Sequence, residues 1–97
     1  MSADKARLFQ FEKDEAVLCF HGPLIYEALI SERVARESPE SRKITLYLVH
    51  YSGWNEHWDE WVPESRVLKS TDSNKKLQKE RYVSHLSALA RTILANQ

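Results

Sequence analysis

Apolar residues recur every second position through the first two thirds of the chain and every third or fourth position in the last quarter. The first rhythm predicts strands and the second a helix. Ala16–His21 (AVLCFH) reads as a strand rich in branched and aromatic residues, with Val17, Cys19 and His21 on one face and Ala16, Leu18 and Phe20 on the other. Gly22-Pro23 marks a turn, and a second strand runs from about Ile25 to Ala35, placing Tyr26, Ala28 and Ile30 on one face. Arg36–Arg42 (RESPESR) is a polar hairpin loop; its Ser38-Pro39 dipeptide is of a kind that can be phosphorylated but is too common to carry weight. Lys43–Tyr51 forms a third strand that is apolar on both faces, so both need cover: the barrel interior on one side and a helix laid over the other. After Ser52-Gly53 a fourth strand spans Trp58–Val62 and stops at Pro63, with Trp61 expected in the core, and Glu64–Leu68 reads as a helical turn or connector. Asp72 or Ser73 is the expected N-cap of a helix reaching about Ala95, along which Leu77, Tyr82 or Val83, Leu86, Leu89 or Ala90, and Ile93 fall on a stripe.

These elements predict a mainly β fold with one α-helix: a small, strongly bent β-barrel of SH3/Tudor-like kind, capped by the C-terminal helix. Residues 1–10 are a lead-in pinned by Leu8, Phe9 and Phe11, residues 11–70 the barrel, and residues 71–97 a helix packing on it, the alternative being that its last two turns, Leu86 to Leu94, reach a partner. Ninety-seven residues suffice for one such domain.

Composition narrows the class without naming a chemistry. The chain is 42% hydrophobic and 29% charged, with no apolar run long enough for a transmembrane helix. The start, MSADKARLFQFEKDE, lacks the apolar core of a secretory signal. A single cysteine, Cys19, excludes an internal disulfide and suits a reducing compartment. The net charge of zero is unevenly spread. Residues 1–73 carry nine Lys/Arg against thirteen Asp/Glu, and residues 74–97 five against one. The acidic barrel weighs against a grip on a nucleic-acid backbone, whereas Lys75, Lys76, Lys79 and Arg81 of the basic helix favour a weak DNA or RNA contact.

No catalytic set stands out. His21, His50, His57 and His85 lack metal-ligand spacing with Cys19 or one another, and two glycines make no phosphate loop. Asp59 and Glu60 are adjacent in a strand and point to opposite faces, so they do not form a facing acid/base pair. The chain is therefore not read as an enzyme, and it implies no metal or cofactor. What stands out is aromatic. Tyr47–Trp61 (YLVHYSGWNEHWDEW) holds all three tryptophans, and Tyr51, Trp54 and Trp58 surround a turn. Large rings at a loop tip either plug a barrel end or stand around a gap that accepts a cation. Closing the sheet gathers His21, Tyr26, Tyr51, Trp54 and Trp58 at one rim, since all five lie at strand ends or turn edges.

VLCFHGPLIYEA (Val17–Ala28) together with HYSGWNEHWDEWVPESRVLK (His50–Lys69) closely resembles the chromo barrel domain of the MRG (mortality-factor-related) family, chromatin proteins of histone acetyltransferase and deacetylase complexes. The match covers roughly residues 9 to 80. The resemblance implies a bent barrel closed by a C-terminal helix, a nuclear location, and a non-enzymatic reader of a methylated histone tail, with lysine thirty-six of histone H-three, di- or trimethylated, the favoured mark. The family's cage positions carry over onto His21, Tyr26, Tyr51, Trp54 and Trp58. Two features depart from the family: the 36–42 loop looks longer, and the large C-terminal partner-binding domain has no counterpart here, as expected of an excised piece or a short variant. The alternative is a chromo barrel that binds nucleic acid or docks proteins without reading methyl-lysine.

Overall fold

A computed structural model of the chain describes residues 8–37, 39–40 and 42–96; most of the lead-in, together with Ser38 and Ser41 of the hairpin loop, lies outside the described residues. Among residues 16–95, five strands, β1 (Ala16–His21), β2 (Leu24–Glu37), β3 (Lys43–Tyr51), β4 (Glu60–Pro63) and β5 (Val67–Lys69), are followed by the helix α1 (Asp72–Ala95). All pairings are antiparallel, in the spatial order β4-β3-β2-β1-β5.

That order forces the curvature. β4 and β5 are the two edges of the sheet, yet only the 3-10 turn Glu64–Arg66 separates them in the chain. Four flat inter-strand spacings of about 4.8 Å would hold the edges roughly 19 Å apart, and a three-residue 3-10 turn rising about 2 Å per residue does not bridge that. The sheet must curl until its edges approach, which gives the small bent barrel. A bulge in β2 helps: its register against β3 shifts between Ile30 and Glu32.

The interior is the two-residue pattern made solid. Val17, Cys19, Ala28, Ile30, Tyr47, Val49, Tyr51, Val62 and Val67 are buried together, with Phe11 closing the side reached by the lead-in. Phe9 and Phe11 stack edge-on against Tyr47, and Thr45 Oγ1 donates to Leu8 O, so the described part of the lead-in is pinned as expected. Tyr47 OH bonds Glu64 and also accepts from Gln10 N–H. Burial first, and then the Glu64 carboxylate, push its phenol up to about 12.

Four expectations need correction. Trp61 is not in the core but 49% exposed, and β4 begins at Glu60 and not at Trp58. With Val62 facing inward, the alternation turns Trp61 outward beside its partner Leu48. Trp58 belongs instead to a 3-10 turn, Glu56–Trp58, capped by Asn55 Oδ1 accepting from His57 N–H. The connector Glu64–Leu68 is a 3-10 turn that runs into a fifth strand pairing Val67 with Cys19, Leu68 with Leu18 and Lys69 with Val17. The helix is capped by Thr71, whose Oγ1 accepts from Asn74 N–H, so Asp72 and Ser73 are its first residues.

The fourth correction concerns what the helix covers. It does not lie over the outer face of β3, where Ile44 is 49% exposed. Its first turns meet the hairpin of β1 and β2: Gln78 Nε2 donates to Ile25 O, and the Arg81 guanidinium sits 5.5 Å over Phe20. Leu18 and Ile25 are buried outside the interior cluster, Ile25 beside the helix that bonds its carbonyl. Beyond Tyr82 the helix leaves the barrel, so Leu86, Leu89, Ile93 and Leu94 are exposed and the molecule extends to 61 Å along its length. The apolar stripe read as a docking face is real in sequence, but most of it has no barrel beneath it.

Candidate functional site

Two tight turns set the site. β1 and β2 are joined by Gly22-Pro23, with His21 paired to Leu24; a glycine at φ 59° followed by proline is the pattern of a II′ hairpin turn. β3 leaves through Ser52-Gly53, where Gly53 adopts φ 80° and Trp54 N–H donates back to Tyr51 O. Each turn reverses the chain in two residues and so holds an aromatic pair at one end of the barrel. Cys19 pairs with Tyr26, which puts Tyr26 on the same face as His21. Tyr51 pairs with Ala28 on the adjacent strand and is wholly buried.

The result is a cluster of four rings in mutual contact. Trp54 lies 4.9 Å from Tyr26, 4.9 Å from Tyr51 and 5.4 Å from His21 between centroids. His21 is 5.2 Å from Tyr51 and 6.0 Å from Tyr26, and the two tyrosines are 6.1 Å apart. All but the Tyr51–Trp54 pair are T-shaped, so ring edges meet ring faces as their quadrupoles prefer. Tyr51 is the floor, while His21, Tyr26 and Trp54 are half-buried walls. Trp58 stands apart. It touches Trp54 edge-on at 5.9 Å and is 53% exposed, placed at the mouth by its 3-10 turn.

Beneath the rings is a polar network that sequence reasoning missed. One oxygen of Glu60, Oε2, accepts from Tyr51 OH at 2.6 Å and from Arg66 Nη2 at 2.9 Å, and lies 3.0 Å from His21 Nδ1. Arg66 is itself fixed by two bonds to Phe20 O, at 2.9 and 2.7 Å, and donates to Tyr51 OH at 3.2 Å. Burial alone would raise the Glu60 pKa, but hydrogen bonds from Tyr51, Arg66 and His21 and the charge of Arg66 outweigh it and bring it down to about 2. An ionised carboxylate only accepts, so His21 carries its proton on Nδ1. Tyr51 is held far above the usual phenol range by burial and by its bonds to Glu60 and Cys19, so it stays neutral. The signal for Glu60 was present in the sequence: if Val62 faces inward, so does Glu60, and an inward carboxylate needs a partner. Asp59 faces the other way and bonds His50 Nδ1 at 2.7 Å, so the two acids are separated as expected.

This arrangement offers ring faces held from behind by an ion-paired carboxylate. Among the described residues there is no group of three His, Cys, Asp or Glu placed to hold a metal, and no helix long and apolar enough to cross a membrane.

Comparison with known proteins agrees with this fold. The family model described as MSL3 chromodomain-like matches residues 11–82. Over 72 residues, 74% of this chain, the sequence is 54% identical to Mortality factor 4-like protein 1 of Rattus norvegicus. Over 70 residues, 72% of this chain, it is 51% identical to the NuA4 complex subunit EAF3 homolog of Drosophila melanogaster. These matches span only 20% and 15% of those relatives' own lengths. Among solved structures the Drosophila MSL3 chromodomain superposes with a TM-score of 0.72 at 26% identity, covering 78% of this chain and 93% of that one.

Proposed function

This chain belongs to the MSL3 chromodomain-like family, and on that premise we propose that it is a chromatin reader whose ring cluster binds the side chain of methylated lysine in a histone tail. The observation that carries the reading is the cluster itself: four rings brought together at one barrel end by two tight turns, over an ionised carboxylate. A trimethylammonium has no N–H to donate, so shape, dispersion and the negative faces of rings are what hold it. His21, Tyr26 and Trp54 are the walls, Tyr51 the floor, and Trp58 flanks the entrance.

An ammonium in contact with two perpendicular rings sits about 4.5 Å from each, which sets their centroids roughly 6–7 Å apart. The Tyr26–Trp54 contact, 4.9 Å between rings 71° apart, is tighter than that. Trp54 therefore swings outward on the Ser52-Gly53 turn as the ligand enters, toward Trp58. Three or four contacts of about 0.5–2 kcal/mol each, less the ordering of a flexible tail, leave a dissociation constant of roughly 0.1–1 mM. At that strength a second contact or a multidomain host supplies the rest. The favoured mark is di- or trimethylated lysine thirty-six of histone H-three. The host is a subunit of a nuclear histone acetyltransferase or deacetylase complex, in keeping with a relative named as a NuA4 complex subunit homolog.

Titration calorimetry with a histone H-three peptide trimethylated at lysine thirty-six, its unmethylated twin and peptides carrying other methyl marks tests this. Saturable binding of the methylated peptide alone, absent in a folded Trp54→Ala variant, is the expected result. Equal binding of the two twins would overturn it.

The basic helix supports a second reading. Lys75, Lys76, Lys79 and Arg81 are all exposed on the half of α1 nearest the barrel, a placement suited to a weak DNA or RNA contact. Such binding falls steeply between about 50 and 200 mM salt, whereas ring-mediated binding changes little.

A further inference from the structure

The outer half of α1 has no surface beneath it. From Arg81 to Asn96 every residue except His85 is exposed, and the stretch Val83–Ala95 runs roughly 20 Å beyond the barrel. A helix of that length is marginal in water by itself, and the Thr92 Oγ1 bond back to Ala88 O does not strengthen it. Its sequence nonetheless carries an apolar seam. Tyr82, Leu86, Leu89 and Ile93 follow one another at steps of four, three and four, the spacing of two helices packed along their length. These four side chains are 46% to 61% exposed. Ala90 and Thr92 beside the seam are small enough to let a second helix come close. Val83–Asn96 holds no acid, and its one arginine, Arg91, lies on the opposite side of the helix from the seam. With histidine neutral, no like charges face each other when the seam meets a copy of itself.

Self-complementarity identifies the occupant. About a two-fold axis between Ser87 and Ala88, an antiparallel second copy of α1 sets Tyr82 opposite Ile93 and Leu86 opposite Leu89; the same two layers recur across the axis with the roles exchanged. The end of the second helix then falls level with Lys79. α1 has no basic residue in its last turn to meet its own carbonyl ends, and Lys79 of the other copy supplies that charge. A parallel pair would bring the two carbonyl ends together with no cation between them. With Val83 and Leu94 at its margins, the stripe exposes on the order of 600 Å² per copy, so the pair covers about 1,000 Å² in all, the size at which specific interfaces begin.

We propose that this face of α1 is the contact for a second copy of the chain, in a weak, reversible, antiparallel helix pair. The pairing stands independently of the methyl-lysine reading. On that reading it places two ring clusters on one molecule, with the barrels at opposite ends, and so supplies the second contact that a weak cluster needs.

Sedimentation equilibrium of the whole chain, over about 5 µM to 1 mM, should follow a monomer–dimer equilibrium with a midpoint at roughly 10–100 µM. Leu89→Glu puts a carboxylate into each central layer of the seam and should raise the dissociation constant at least about a hundredfold, with the amide NMR spectrum of the barrel unchanged. Mixing chains that carry Leu86→Cys with chains that carry Leu89→Cys reads the direction: on air oxidation the antiparallel pair gives the mixed disulfide in excess over the two like-with-like products, and Cys19, being buried, does not compete. A wild-type chain that stays monomeric throughout this range overturns the proposal and leaves the face to a different protein. A dimer that survives Leu89→Glu overturns the helix contact, and like-with-like disulfides in excess overturn the antiparallel arrangement.

Discussion

Replacing Glu60 by glutamine isolates the network beneath the rings. The carboxylate gathers three donors on one oxygen, and its pKa falls from 4.5 to about 2. At about 1.36 kcal/mol per pKa unit, that difference corresponds to roughly 3.4 kcal/mol of stability linked to its ionisation. A third of the side chain is exposed, 33% in all, and solvent screening reduces the figure to roughly 1.5–2.5 kcal/mol. The sign follows from the direction of the shift. A carboxyl with a depressed folded-state pKa contributes fully above its unfolded value and loses that contribution as pH falls through the window from about 4.5 to 2; more than half is gone by pH 3. Glutamine keeps the shape and can turn its carbonyl oxygen toward the three donors, but it carries no charge to match Arg66. Urea unfolding at pH 7, 5, 4 and 3, followed by tryptophan fluorescence, should show Glu60→Gln less stable by about 1.5–2.5 kcal/mol at pH 7, with the gap closing as the wild type is acidified. Glu15, also depressed through its bonds to Glu12 N–H and Lys69, titrates alike in both proteins and cancels in the difference. A gap that stays constant from pH 7 to pH 3, or no gap at pH 7, would refute the assignment of this network as an ionised, charge-assisted one.

Three further substitutions probe other links. Trp54→Ala removes a half-buried wall while Tyr51 beneath it keeps its bonds to Glu60, so the domain should remain folded by amide NMR and lose methyl-lysine binding by at least about tenfold. At Gly53 an added methyl meets nothing within 4 Å, yet φ is 80°; Gly53→Ala should therefore cost about 1–2 kcal/mol through backbone strain alone, measured by urea unfolding. Tyr47→Phe keeps the ring in the core but strips the hydroxyl from Gln10 N–H and Glu64, for an expected loss of about 1–2 kcal/mol and a lead-in whose amides exchange faster.

The elements were legible wherever local chemistry and tertiary demand agree. β1 and β3 have the bounds the two-residue period sets, and both turns that build the site carry the glycine their backbone needs. Five rim aromatics could be named because strand ends and turn edges are where a closing sheet brings side chains together; four meet as expected and the fifth, Trp58, stands at the mouth. What was not legible depends on partners distant in sequence. β5 is three residues long and exists because β1 offers it an edge; alone it has no period to detect. Trp61 is apolar enough for a core, but its outward orientation follows from Val62 facing inward, which the pairing of β4 with β3 decides. The helix carries a sound apolar stripe, yet a stripe does not say which surface, if any, lies beneath it. Arg66 looks like an ordinary surface charge until the fold places Glu60, Tyr51 and Phe20 O around it.

The central claim is that a methylated ammonium sits among His21, Tyr26, Tyr51 and Trp54. The most direct test is to bind a peptide carrying trimethyl-lysine with isotope-labelled methyl groups and record intermolecular nuclear Overhauser effects. Contacts from the N-methyl protons to the rings of Tyr26, Trp54 and His21 are expected, with the Trp54 indole N–H shifting as that ring moves toward Trp58. N-methyl contacts confined to α1 or to the outer face of β3 and β4, with the ring resonances unmoved at saturation, would contradict it.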